Sequence, residues 1–123
     1  MNIKEICLEE IEIHTSLVEE TIHCLLHTVI FLRHPKKVTP DDMSCTLLAP
    51  LTYAKCNIKS IDNDVRHSVD VFNRSMTNIG PNISRGVIHL SYYEVSEQKG
   101  FFGLTSTTQK VYFERWKIPI IVS

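Results

Sequence analysis

Glycine is scarce in this sequence: four residues among 123, at positions 80, 86, 100 and 103. Neither G-x-x-x-x-G-K nor G-x-G-x-x-G can be built from them, which excludes the backbone cradles that hold nucleotide phosphates. An excess of basic residues is also lacking, with 13 Lys and Arg against 14 Asp and Glu and a net charge of −1. Nucleic-acid binding needs a basic face to neutralise phosphates, so no nucleic acid is expected as a partner. The densest basic cluster, Arg33-His34-Pro35-Lys36-Lys37, is short and soon followed by Asp41-Asp42. It reads as the solvated end of a helix, where cations are favoured. No apolar run reaches the roughly 20 residues of a membrane-spanning helix. The most apolar stretch, residues 17–32, is interrupted by Glu19, Glu20, His23 and His27. The opening Met1-Asn2-Ile3-Lys4-Glu5 has no signal-peptide core. The sequons Asn73-Arg74-Ser75 and Asn82-Ile83-Ser84 are therefore expected to be unused. Cys7, Cys24, Cys45 and Cys56 show no C-x-x-C spacing, and free, mostly buried thiols are expected.

What the sequence does carry is an ordinary globular composition, 43% hydrophobic and 22% charged, in a length that suits a single domain over 1–123. Residues 6–13 alternate in polarity, with one slip of phase at Glu9-Glu10, which predicts a strand containing a bulge. Ser16-Leu17-Val18-Glu19 is a capping-box pattern, and Val18, Ile22, Leu25, Leu26, Val29 and Leu32 then recur at helical spacing until Pro35 stops the run. Residues 43–56 read as one or two strands, with Ala49-Pro50 at a turn. Ser60 offers a second N-cap. Ile61, Val65, Val69, Phe72, Met76 and Ile79 follow on one helical face, and Gly80-Pro81 forms the stop. Residues 87–95 and 110–122 alternate as two strands joined by a polar loop, with Pro119 expected to end or bulge the second. The order predicts an α+β fold, with helices packed on one face of a mainly antiparallel sheet.

Sites of chemistry are sparse. His23 and His27 lie at i and i+4, a spacing that can bind zinc, but Cys24 stands where a zinc protease needs its glutamate. No metal and no cofactor are expected, and a small enzyme built on His23, His27 or a cysteine is the weaker reading. The paired carboxylates Glu9/Glu10, Glu19/Glu20 and Asp41/Asp42 are sequence neighbours that point apart, and read as solvated charges. Tyr92, Tyr93, Tyr112 and Trp116 are expected in core and cross-strand packing. Gly100-Phe101-Phe102-Gly103-Leu104 is the most informative segment. Two adjacent phenylalanines between glycines inside a polar loop either fold back as a satellite cluster or form an exposed finger for a partner or a membrane interface.

Three stretches carry a resemblance. Val18-Glu19-Glu20-Thr21-Ile22-His23-Cys24-Leu25-Leu26-His27-Thr28-Val29-Ile30-Phe31-Leu32-Arg33 resembles the first long helix of the autophagy-related protein 101 family, with its His-Thr-Val step and basic end. Leu90-Ser91-Tyr92-Tyr93-Glu94-Val95 is similar to a family strand reading LSFYEV, and Val111-Tyr112-Phe113-Glu114-Arg115-Trp116 to one reading LYWEQW. The three come in the family order and span most of the chain. The resemblance implies a HORMA-like domain lacking the C-terminal helix and strands, with an apolar sheet face left open. It further implies a non-catalytic adaptor of the autophagy-initiating kinase complex. Such an adaptor pairs with and stabilises the HORMA domain of autophagy-related protein 13, acting in the cytoplasm and at the preautophagosomal structure. Family members often place a Trp-Phe finger between the last two matched strands. Phe101 and Phe102 occupy that loop here, so partner binding, or peripheral membrane contact, is assigned to them by resemblance. A HORMA adaptor of the checkpoint or meiotic kind, which captures a peptide under a C-terminal belt, is the alternative.

Overall fold

The computed structural model describes residues 3–99 and 106–123. Chain order gives β1 (Lys4–Cys7), β2 (Ile11–Ile13), a 3-10 turn (Thr15–Leu17), α1 (Val18–Arg33), β3 (Pro40–Ser44) and β4 (Thr52–Cys56). It continues through α2 (Lys59–Ser75), β5 (Thr77–Gly80), β6 (Ile83–Lys99) and β7 (Ser106–Val122). The larger sheet runs β1-β7-β6-β5, with β2 also paired to β7, and β3 and β4 form a separate antiparallel pair. β5 and β6 pair antiparallel, whereas β1 and β2 lie parallel to β7. Two helices pack against a mainly antiparallel sheet, the α+β arrangement expected of a HORMA-like domain.

The phase slip at Glu9-Glu10 is a break between two short strands on one edge. Cys7 faces Lys117 and Ile11 faces Ile120, so the first chain spends one residue more than the second between these pairs. Pro119 falls opposite this break. It has no N–H to give a ladder, and here none is asked of it, so β7 continues through Pro119 to Val122 instead of ending there. β6 and β7 also reach further than alternation alone suggested, to Lys99 and from Ser106.

The chain divides into two compact units. The first comprises Met1–Glu10 and Val87–Pro119, and is built on β1 and most of β6 and β7. The second comprises Ile11–Gly86 and Ile120–Ser123. It holds both helices, and its core includes Val18, Ile22, Leu26 and Val29 of α1, Val65, Val69 and Phe72 of α2, and Ile120 and Val122. Gly86 lets β6 approach α2 closely. A Cβ built there would meet the Phe72 ring, with Cζ at 2.9 Å.

Helix ends depart from the sequence reading in three places. Ser16 forms no capping box. Its N–H donates to His14 Nδ1 at 3.2 Å inside the 3-10 turn, and the α1 N-cap is Leu17, with no side-chain hydrogen bond. α2 begins one residue before Ser60 and is likewise uncapped by a side chain. At its other end α2 stops at Ser75. Thr77, Asn78 and Ile79 enter β5 because the Gly80-Pro81-Asn82 turn, with Asn82 at φ 57°, returns the chain as an antiparallel partner. α1 ends as expected, its C-cap His34 extended before Pro35. The stretch Thr15–Arg33, 19 residues, is long and apolar enough by length and composition to cross a membrane. Here one side of that stretch is buried in the core of its unit.

Candidate interaction surfaces

On α1 the helical stripe is only partly consumed by the core. Val18, Ile22, Leu26 and Val29 are buried, but Leu25 is half-buried and Leu32 is 71% exposed. Leu25 and Leu32, with Cys24, Phe31, Leu51 and Tyr53, line an open apolar groove of about 460 Å³ between α1 and β4. Its side opposite the helix is Leu51, Thr52, Tyr53 and Ala54, at the start of β4, which pairs with β3 in register from Pro40 opposite Cys56 to Ser44 opposite Thr52.

The connection between these two strands is clamped from the helix. The Glu20 carboxylate accepts from the Leu47 N–H at 2.9 Å and the Leu48 N–H at 3.3 Å. These bonds outweigh partial burial and hold its pKa below the ordinary carboxylate value. Cys45 donates its N–H to the Leu51 carbonyl at 2.9 Å, and the Ala49–Pro50 peptide is cis. Thr46, Leu47 and Leu48 therefore sit in a turn and not in a strand. Glu20, read from sequence as a solvated charge, is the residue that fixes this turn. Its partner N–H groups lie 27 and 28 residues away, and nothing local announces them.

Beneath the hairpin is a part-buried polar cluster. Lys55 Nζ donates to Asp62 Oδ1 at 3.0 Å, and His27 Nε2 lies 3.6 Å from the same oxygen. The His27 ring stacks between His23, at 5.9 Å between centroids, and Tyr53, at 6.0 Å. Burial pushes the His27 pKa down, Asp62 opposes this, and His23 and Lys55 add to it. Lys55 and Asp62 therefore form the ion pair, with His27 neutral beside them. His27 Nδ1 and Thr21 Oγ1 are buried without a hydrogen-bond partner.

Among the described residues no group of three or more His, Cys, Asp or Glu side chains is placed to hold a metal. His23 and His27 stack, and do not converge on a common point. The Cys45 thiol is pushed up to about 11, first by burial and then by its hydrogen bond with Glu20, so it stays protonated and a poor nucleophile. Cys56 is also buried and raised, Cys24 is half-buried, and Cys7 is exposed.

In the first unit the aromatics form cross-strand pairs on both faces of the ribbon. Tyr93 and Tyr112 meet at 5.4 Å with Lys110 Nζ 4.8 Å over the Tyr93 ring, and Tyr92 and Phe113 meet at 6.4 Å. These are cross-strand contacts as expected, but not core: Tyr93, Tyr112 and Phe113 are exposed. Trp116 donates its Nε1–H to the buried Glu114 at 3.0 Å. Phe101 and Phe102, the residues singled out for partner binding, lie outside the described residues.

The α+β arrangement that carries this groove and this aromatic ribbon is consistent with a HORMA-like fold. The family model described as autophagy-related protein 101 matches residues 10–123. Autophagy-related protein 101 of Arabidopsis thaliana is 29% identical over 120 residues, covering 96% of this chain and 53% of the relative. This chain thus belongs to the autophagy-related protein 101 family, and spans about half the length of the curated relative it matches.

Proposed function

We propose that this chain is a non-catalytic adaptor in autophagy initiation, pairing with and stabilising the HORMA domain of autophagy-related protein 13 within the initiating kinase complex. The observation that carries the reading is the family match across residues 10–123. The α+β architecture and the exposed apolar and aromatic surfaces support it, because interface cores are rich in aromatic and apolar side chains. The protein acts in the cytoplasm and is recruited to the preautophagosomal structure. Phe101 and Phe102 supply the contact to downstream factors or to a membrane surface by aromatic anchoring, a role that commonly contributes about 2 kcal/mol or more at an interface hot spot.

The test is the double variant Phe101→Ala with Phe102→Ala. Its melting midpoint and its complex with the HORMA domain of autophagy-related protein 13 should match the parent, while recovery of downstream factors falls. A double variant that unfolds would assign both rings to the core and end the finger reading.

A further inference from the structure

Glu20 and Cys24 stand four residues apart on α1, so they share a helix face one turn from each other. That face looks onto the β3–β4 connection, where Glu20 accepts from the Leu47 and Leu48 N–H groups. Cys45 opens this connection, held there by its N–H bond to the Leu51 carbonyl. Its thiol is in hydrogen-bond contact with two groups, the Glu20 carboxylate and the Cys24 thiol. Tyr53 is a near neighbour of all three: burial raises its pKa first, and Cys45, Cys24 and Glu20 raise it next. The two sulfurs differ in access. Cys24 is half-buried on the wall of the apolar groove, whereas Cys45 is 7% exposed. The other two cysteines stand apart, Cys7 in the first unit and Cys56 at the far end of β4.

We infer that Cys24 and Cys45 are a redox pair that closes to a disulfide under peroxide and fastens α1 to the β3–β4 connection. The inference rests on the contact between the thiols and not on the autophagy reading. The oxidant is hydrogen peroxide. It transfers one oxygen atom to the sulfur of Cys24, the more accessible of the two, which gives a sulfenic acid and one water. The Cys45 sulfur then attacks the Cys24 sulfur while Glu20, its hydrogen-bond partner, takes up the Cys45 proton. The S–S bond forms, the S–O bond breaks, and the departing hydroxide recovers that proton and leaves as a second water. Each sulfur has lost one electron, and the peroxide has become two waters. Burial and the bond to Glu20 keep Cys45 protonated, so it suits the resolving step at contact distance and not the first attack on free peroxide. The bridge closes the loop from residue 24 to residue 45, which restricts the unfolded chain more than the folded one. It also ties the groove wall at Cys24 to the connection that Glu20 clamps.

Treatment of the folded full chain with hydrogen peroxide tests this, followed by alkylation of free thiols and peptide mapping without reductant. One disulfide should join Cys24 to Cys45 within a single chain, with Cys56 still free. The melting midpoint should rise by roughly 5 °C or more, and dithiothreitol should return it to the starting value. Cys24→Ser and Cys45→Ser should each abolish the bridge and the shift, while Cys7→Ser should keep both. If Cys45→Ser does not fold, Cys24→Ser, at the less buried position, makes the same comparison. Unbridged Cys24 and Cys45 after treatment, a bridge that forms only in urea, or a bridge from either to Cys7 or Cys56 each overturns the inference. Sulfinic acid at Cys24 beside a free Cys45 overturns it as well.

Discussion

Glu20 on α1 and Leu47 in the β3–β4 connection are tied by two contacts, the Leu47 N–H reaching both carboxylate oxygens, at 2.9 and 3.2 Å. Because the bonds favour the ionised form, the stability they give is present above the ordinary carboxylate pKa of 4.5 and is lost as pH falls through the lower folded value. Glu20→Gln should lower the melting midpoint at neutral pH, with the difference from the parent shrinking in acid. Limited proteolysis should show earlier cutting within 45–51. An unchanged cutting pattern would mean that the turn holds its shape without the clamp.

His27 predicts a pH dependence in a higher window. Its folded pKa is depressed below the ordinary 6.5, chiefly by burial. As pH falls through 6.5 the unfolded chain takes up a proton that the folded chain resists, so stability drops, and the drop levels off only below the folded pKa. Urea unfolding from about pH 7.5 to about pH 5.5 should show a falling midpoint in the parent and a flatter one in His27→Leu. Equal slopes would place the titration elsewhere.

Gly86→Ala should destabilise by about 1–3 kcal/mol, the usual cost of overpacking, because the added methyl group meets the Phe72 ring. Phe72→Leu in the same chain should recover part of that loss, whereas alone it should destabilise. Denaturant titration of the four proteins gives the coupling directly, and additive losses would show that Gly86 and Phe72 do not share the site.

Ile22 and Leu32 occupy the same sequence stripe and should behave differently. Ile22 is fully buried, and Ile22→Ala should cost about 2–5 kcal/mol. Leu32 is largely exposed, and Leu32→Ala should stay within about 0.5 kcal/mol. Chemical denaturation of both variants measures the contrast, and a large loss at Leu32 would mean that the rim of the groove is packed in solution.

That pair also shows where sequence reasoning reaches and where it stops. Periodicity placed α1 and named four of its buried residues, because a helix keeps a fixed face wherever its partner lies. It could not say that the partner surface ends before Leu32, since that depends on the length of a hairpin distant in sequence. The phase slip at Glu9-Glu10 was legible because a bulge leaves its mark in alternation. Pro119 inside β7 was not, because its tolerance comes from the break in the opposite strand. Thr77, Asn78 and Ile79 fitted the helical pattern equally well, and the turn at Asn82 decided against it. Of the site, the histidine pair and the aromatic strands were visible. The Glu20 clamp and the Lys55 and Asp62 ion pair were not, since each joins elements whose meeting no local pattern encodes.

The measurement closest to the central claim is co-expression of this chain with the HORMA domain of autophagy-related protein 13 from the same source, followed by size-exclusion chromatography with light scattering. The adaptor reading predicts a co-eluting complex with one copy of each chain. Separate elution of two folded, soluble proteins would contradict it.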